Sequence, residues 1–372
     1  MGYIAFLMLI FGLLFISEKM IMPNVDKTKK EKNYFLIFKI LAIVLLIALP
    51  GLRAWTVGYD TANYYNNFNL INLDRNLGRA HKFESGFQFL NLIGSFIFGE
   101  YGIYFVFIVC SSIIVFSVLY SAKKMSANYL MTMFFFVSIE FYFRSFDQLR
   151  QGVAIALVVL AFTFIRDREP IAYFACIVTA TLFHNTALIM LPFYFLNRLT
   201  NKKNNIVFYI GSTAIIMLLI IFESQIISFL SNSGIGFFTK QDTNIWVQDL
   251  TLIGILELVV FTLIFAFLAF LRAFLFRKEK SPKYDFFLAT FYCAILFEFF
   301  SAICHKPHLY GRLIYFFFWA IIFLIPEVLS LVKNEKYRTI FKYIAYAIGV
   351  SYLAFALFVV HAYGIVPYRI FM

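Results

Sequence analysis

Apolar runs of roughly membrane-spanning length follow one another through almost the whole chain, at about 3–17, 34–51, 101–120, 128–145, 152–165, 170–184, 186–197, 206–222, 251–271, 284–303, 311–329 and 339–362. A helix rising ~1.5 Å per residue needs ~20 such residues to cross the ~30 Å hydrocarbon core of a bilayer. This succession leaves one fold class, an all-α polytopic integral membrane protein with about 11–12 transmembrane helices. The short run 186–197 either spans or is re-entrant. Composition agrees, because 62% of residues are hydrophobic and only 14% charged, where an ordinary soluble domain carries ~25% charged residues. Such a chain cannot cover a water-facing surface, so a soluble enzyme, a disordered chain and a disulfide-stapled secreted domain are excluded. Residues 1–372 read as a single polytopic membrane domain. The run 3–17 lacks a basic leader and a small-residue cleavage site, and reads as a membrane helix rather than a signal peptide.

Lysine and arginine outnumber the acids 32 to 20, for a net charge of +12. In a soluble protein that would suggest nucleic acid; in a membrane protein the first question is on which side the charges lie. Dense loops at Lys19 to Lys32, Lys123–Lys124, Arg166–Arg168, Arg198 to Lys203, Arg272 to Lys283 and Lys333 to Arg338 hold 20 of the 32 and occupy every second loop. By the positive-inside rule they face the cytoplasm and both termini face outward. The inner loops then carry a net +13 and the outer segments only +2. The surplus anchors topology and implies no nucleic-acid partner. Two outer loops are long, at about 52–100 and 223–250, and all five histidines fall on the outer side. Within the first, the apolar stretch Phe83 to Phe98 is too short to span and reads as a re-entrant or interfacial helix with Glu84 at its start.

Four constellations could carry chemistry. The first is Arg144-Ser-Phe-Asp147-Gln-Leu-Arg150-Gln151-Gly152. If one helix runs through it, Asp147 stands three residues from each arginine and can orient both guanidiniums, with Glu140 one turn deeper. The second is Phe183-His184-Asn185-Thr186-Ala187, where a lone histidine interrupts the apolar pattern. A break at membrane depth is tolerated where freed backbone groups line a cavity or are buried in protein. An imidazole with an ordinary pKa of about 6.5 can then serve as a general base. The third is Tyr310-Gly311-Arg312, with Arg312 either an anion binder or a snorkelling anchor, just after Cys304-His305-Lys306-Pro307-His308. Pro307 and the helix end disfavour a shared metal there. The fourth is Arg53-Ala-Trp-Thr-Val-Gly58-Tyr59-Asp60-Thr61-Ala62-Asn63-Tyr64, which offers ring faces for sugars and a carboxylate for their hydroxyls. An aromatic belt with a turn is its plainer reading. Cys110, Cys176, Cys293 and Cys304 show no metal or redox spacing and read as small buried hydrophobes.

The chain has no D-x-D for a metal-bound nucleotide sugar, no phosphate loop and no G-x-S-x-G elbow. Several arginines with a histidine and carboxylates remain on the outer side. Arginine recognises phosphate in a planar, bidentate way without a metal. A lipid-borne pyrophosphate is the ligand that suits them.

The order Gly58-Tyr59-Asp60, Glu84-Ser-Gly86-Phe87, Arg150-Gln151-Gly152, Phe183-His184-Asn185-Thr186-Ala187 and then Arg312 in a polyaromatic helix resembles the EpsG family of Wzy-like polysaccharide polymerases, over about residues 50 to 330. The resemblance implies polymerisation of polyprenyl-pyrophosphate-linked oligosaccharide repeat units on the outer face of the bacterial plasma membrane, to O-antigen, capsule or exopolysaccharide. Lipid-linked donor and acceptor are the implied partners, alongside a chain-length regulator and a flippase. No cofactor and no metal are expected. On this reading Arg150, Arg144 and Arg312 bind the pyrophosphate and His184 deprotonates the acceptor hydroxyl, with Glu84 the alternative base. Asp60, Asp147, Gln151, Tyr64 and Arg53 bind sugar or orient the site. A flippase or exporter of lipid-linked oligosaccharides would need polar groups through the whole membrane depth, and a membrane acyltransferase would favour inner-face motifs. A lipid-linked polymer ligase differs chiefly in its acceptor.

Overall fold

Backbone groups in hydrocarbon must find their partners within the spanning segment itself, which admits helices or closed barrels. The computed structural model takes the first course. It describes residues 12, 29–74, 83–195, 206–225, 228, 252–279, 281–304 and 307–370, and among them there is no β-strand. All but one residue of the run 3–17, most of the loop 223–250, His81, the basic loop 198–203, and His305 with Lys306 lie outside the described residues.

In chain order the first helices are α1 (Lys29–Gly51), α2 (Thr61–Asp74), α3 (Ser85–Phe98), α4 (Gly102–Met125), α5 (Tyr129–Ser138), α6 (Phe141–Asp147), α7 (Leu149–Asp167) and α8 (Pro170–Thr181). A 3₁₀ turn, Asn185–Met190, follows. Next come α9 (Ile206–Ile221), α10 (Leu252–Phe270), α11 (Pro282–Ile303), α12 (Pro307–Phe318) and α13 (Ala320–Ser330), and last α14 (Glu335–Phe358). Among the described residues six helical segments are long and apolar enough to cross a membrane: Ser85–Met125, which α3 and α4 make up together, Leu149–Asp167, Gly254–Leu275, Pro282–Ile303, Tyr310–Ser330 and Glu335–Phe358. Five shorter apolar helices account for the runs near 34–51, 128–145, 170–184, 186–197 and 206–222. The chain is thus an all-α polytopic membrane protein.

Two of the short helices have local causes. The run 128–145 is interrupted because Glu140 takes a left-handed φ of 54°, which ends α5 and starts α6. The run 186–197 begins as a 3₁₀ turn rather than a span. The stretch Phe83 to Phe98 is a separate 14-residue helix, α3. Gly99, at φ 56°, turns the chain back so that α3 packs on α4, and a Cβ on Gly102 would stand 2.2 Å from the Gly94 carbonyl oxygen.

The chain divides into two compact units, residues 1–188 with 332–372 and residues 189–331. In the first, α4 packs against α1, α3 and α7, and α7 carries α6 and α8. Their shared interior is apolar, with Phe107, Val115, Phe146, Val153 and Val158 each at 0% exposure. Asn128 caps α5 by accepting from the Met131 N–H at 3.1 Å, and Asn334 caps α14 by accepting from Tyr337 at 3.2 Å. In the second unit α11 is the hub, packing on α9, α10, α12 and α13. Ser281 caps α11 through the Tyr284 N–H, with Pro282 in its first turn. A bidentate pair from Arg272 to Asp285, 2.6 and 2.9 Å, fastens the end of α10 to the start of α11.

Candidate active site

The polar residues of the first unit gather at three chain breaks: the start of α3, the α6–α7 junction and the end of α8. Gly86 explains why the first and third meet. Its N–H donates to the Leu182 carbonyl at 2.8 Å, and a Cβ there would lie 2.7 Å from the Leu182 Cβ. This approach sets Glu84, which precedes the first turn of α3, beside His184, which follows the last turn of α8. Glu84 Oε1 stands 3.2 Å from His184 Nδ1 and also accepts from the Asn185 N–H at 3.4 Å. Glu84 Oε2 pairs with the Arg150 guanidinium. Glu84 and His184 are buried, at 8% and 4% exposure. Burial alone would raise the Glu84 carboxyl, but the His184 hydrogen bond and the Arg150 charge together hold it below the ordinary carboxylate value. Arg150 lies over the Phe83 ring, 4.1 Å from its centre.

The α6–α7 junction is built differently from the sequence expectation. The helix does not run through residues 144–152, because Gln148 leaves helical geometry at φ −93°, ψ 59° and separates α6 from α7. Asp147 therefore does not sit between two arginines on one face. Its Oδ1 accepts from the Asp60 N–H at 2.7 Å, Arg150 goes to Glu84, and Arg144 donates to Gln148 Oε1 at 3.1 Å and to the Tyr363 hydroxyl at 3.4 Å. Tyr64 satisfies the backbone freed by the break. Its hydroxyl donates to the Asp147 carbonyl at 3.0 Å and accepts from the Leu149 N–H at 3.2 Å, while its ring packs on Phe83 and Phe87. Desolvation, the largest influence on Asp147, pushes its carboxyl up to about 6 against the pull of the Asp60 N–H and the nearby arginines.

The loop before α2 is held from beneath by Arg53, which is fully buried. Its Nε donates to Thr61 Oγ1 at 3.4 Å, Nη1 donates to the Pro50 carbonyl, and the guanidinium stacks 3.9 Å from the Phe107 ring centre. Burial lowers its pKa to about 10. It braces the Gly58–Thr61 turn, whose Gly58 needs its φ of 95°. Asp60 is half-buried at the entry to α2, and Gln151 is buried in the first turn of α7 beside Arg150. Arg312 is half-buried on α12 of the second unit. Sequence reasoning missed Phe83 as the bed of Arg150 and Asn185 as a donor to Glu84. Both are neighbours of residues it singled out, Glu84 and His184.

A buried carboxylate shared by a guanidinium and an imidazole thus sits at helix ends of a polytopic membrane protein. The family model described as EpsG family matches residues 36–370, and the chain belongs to that family. The family is one of polysaccharide polymerases, glycosyltransferase-like in type, which fits a multi-pass membrane protein of polysaccharide biosynthesis. Comparison with curated proteins and with solved structures returned no match.

Proposed function

We propose that this protein polymerises polyprenyl-pyrophosphate-linked oligosaccharide repeat units on the outer face of the bacterial plasma membrane. The observation that carries the reading is Glu84 held between Arg150 and His184. A carboxylate only accepts, so His184 carries a proton on Nδ1, facing Glu84, and in its neutral form Nε2 bears the lone pair. His184 is then the general base and Glu84 its positioning partner rather than a competing base. Nε2 takes the proton of the acceptor hydroxyl as that oxygen bonds to the anomeric carbon of the donor. The anomeric carbon–oxygen bond to the pyrophosphate breaks, and its electrons leave with the lipid pyrophosphate. Arg150, fixed by Glu84 and Phe83, offers further guanidinium N–H groups to that developing charge, the kind of preorganised electrostatics that is often the largest catalytic contribution. Buried Arg53 and Tyr64 hold the surrounding turns.

Purified full-length protein given lipid-linked repeat units in the presence of EDTA should form polymer. His184→Ala should lower kcat by about 10²–10⁴-fold, the range for loss of a general base, with an unchanged thermal midpoint. Wild-type polymerisation by a folded His184→Ala variant rules the base assignment out. Inward accumulation of single repeat units in a deletion strain would favour a flippase instead.

A further inference from the structure

A second polar cluster lies at the other end of α6. Glu140, at the start of that short helix, accepts from the Tyr363 hydroxyl at 2.6 Å and from the Tyr352 hydroxyl. Arg144, one turn on, reaches the Tyr363 hydroxyl, and its guanidinium stands 5.7 Å from the Tyr363 ring centre. Tyr363 belongs to the segment that follows α14, and this segment is fastened across the loop before α2. The Ala54 N–H donates to the Arg369 carbonyl at 2.9 Å, the Gly58 N–H to the Gly364 carbonyl at 3.0 Å, and the Tyr59 hydroxyl to the His361 carbonyl at 3.2 Å.

Among the described residues, three of the four non-glycine residues with left-handed φ meet here: Glu140 at 54°, His361 at 53° and Tyr363 at 64°. Backbone held in sparsely populated regions clusters at ligand-binding sites. Packing alone would not call for a half-buried carboxylate with two phenols on it, beside a half-buried guanidinium. A carboxylate has about four lone-pair sites, and the two phenols occupy two of those on Glu140. At the rim Tyr59 is 69% exposed and packs on Gly364. Carboxylate lone pairs, guanidinium N–H groups and an exposed ring face are the complement of a sugar's hydroxyls and its apolar face. The cluster adjoins the Glu84 site along the chain, since Arg144 of α6 also bonds Gln148 at the break that precedes Arg150.

We propose that Glu140, Arg144 and Tyr363, with Tyr59 at the rim, form a saccharide-binding subsite that the C-terminal segment 361–370 completes. This rests on the polymerase reading for its substrate, and it assigns Arg144 to sugar rather than to pyrophosphate. The test uses the full-length protein in detergent and, as probe, the host's repeat-unit oligosaccharide released from its lipid by mild acid. Calorimetry should show that Glu140→Gln and Tyr363→Phe weaken binding about tenfold or more, while raising KM for lipid-linked units and leaving kcat near wild type. His184→Ala should bind the oligosaccharide like wild type and fail only in turnover. Because Tyr363→Phe could loosen the C-terminal segment, Tyr59→Leu gives a second reading at a rim position, and its binding loss should come without a lower thermal midpoint. If Tyr363→Phe and Tyr59→Leu both bind the oligosaccharide as wild type does, the cluster is only a clasp and the subsite is overturned. The subsite is equally overturned if wild type makes polymer yet binds no free oligosaccharide. If wild type makes no polymer but binds the oligosaccharide in a Glu140-dependent way, the polymerase reading falls and the subsite stands.

Discussion

Glu84 and Asp147 are two carboxyls of similar burial whose surroundings drive them in opposite directions. Glu84 has a guanidinium and an imidazole within reach and stays ionised below its ordinary value. Its contribution to stability is complete above the unfolded value near 4.5 and is lost as pH falls through the lower folded-state value. Asp147 faces chiefly a backbone N–H and is pushed up from 3.8 to about 6. Across that window the folded state holds a proton the unfolded chain has released, so this group makes stability fall as pH rises. Asp147→Asn keeps an oxygen for the Asp60 N–H and removes the titration. Its thermal midpoint should exceed wild type at about pH 7 and lose that advantage near pH 4. Parallel curves for the two proteins would show that burial of Asp147 carries no such cost. Tyr64 offers a second residue-scale test, because its hydroxyl bridges the two ends of the α6–α7 break. Tyr64→Phe leaves a buried carbonyl and N–H without that bridge, and should cost about 1–3 kcal/mol of unfolding free energy in a denaturant titration.

At the scale of elements, the helices were legible and only some of their interruptions were. Hydropathy located the runs behind α4, α7, α11 and α14, because long apolar stretches have few other solutions in a bilayer. It also read α3 as too short to span and His184 as the end of a helix. Hydropathy dips between the runs 128–145 and 152–165, but a dip of polar residues does not say whether the helix continues through them, and nothing in it marks Gln148 as the residue where α6 ends. Placing Arg144, Asp147 and Arg150 on one helical face was reasonable arithmetic on a helix that is not there. The partner that Arg150 takes, Glu84, lies 66 residues away, and only tertiary packing could reveal it. Gly86 is the element-scale hinge of that pairing. Gly86→Ala would place a Cβ 2.8 Å from the Leu182 carbonyl oxygen, forcing the start of α3 away from the end of α8. The expected result is a fall in kcat of at least about tenfold, or ~1.4 kcal/mol of barrier, with the secondary structure by circular dichroism unchanged. Wild-type turnover in this variant would mean that the Glu84–His184 contact tolerates the displacement.

Across the first unit the spanning helices share one polarity. Helix α4 starts beside α3 of the Glu84 site and ends in Lys123 and Lys124, and α7 starts at the Arg150 turn and ends in Arg166 and Asp167. Helix α14 starts next to Lys333 and delivers the segment 361–370 to the loop before α2. The two basic ends meet directly, with Lys124 paired to Asp167 at 2.8 Å and Arg166 donating to the Lys124 carbonyl at 2.9 Å. Two of the loops that the positive-inside count assigns to one face are therefore packed together, and the polar residues around Glu84 and Glu140 form their own clusters. The sidedness that the proposed outer-face polymerisation requires can be tested without substrate. Single cysteines at Trp55, Ala127 and Lys336, all exposed positions, sample the loop before α2 and two basic ends. In intact cells a membrane-impermeant maleimide should label Trp55→Cys, and should reach Ala127→Cys and Lys336→Cys only after permeabilisation. The reverse pattern would put Glu84, Arg150 and His184 on the cytoplasmic side. Substrate would then meet the site before crossing the membrane, and polymerisation at the outer face would be untenable even though the chemistry of the site would stand.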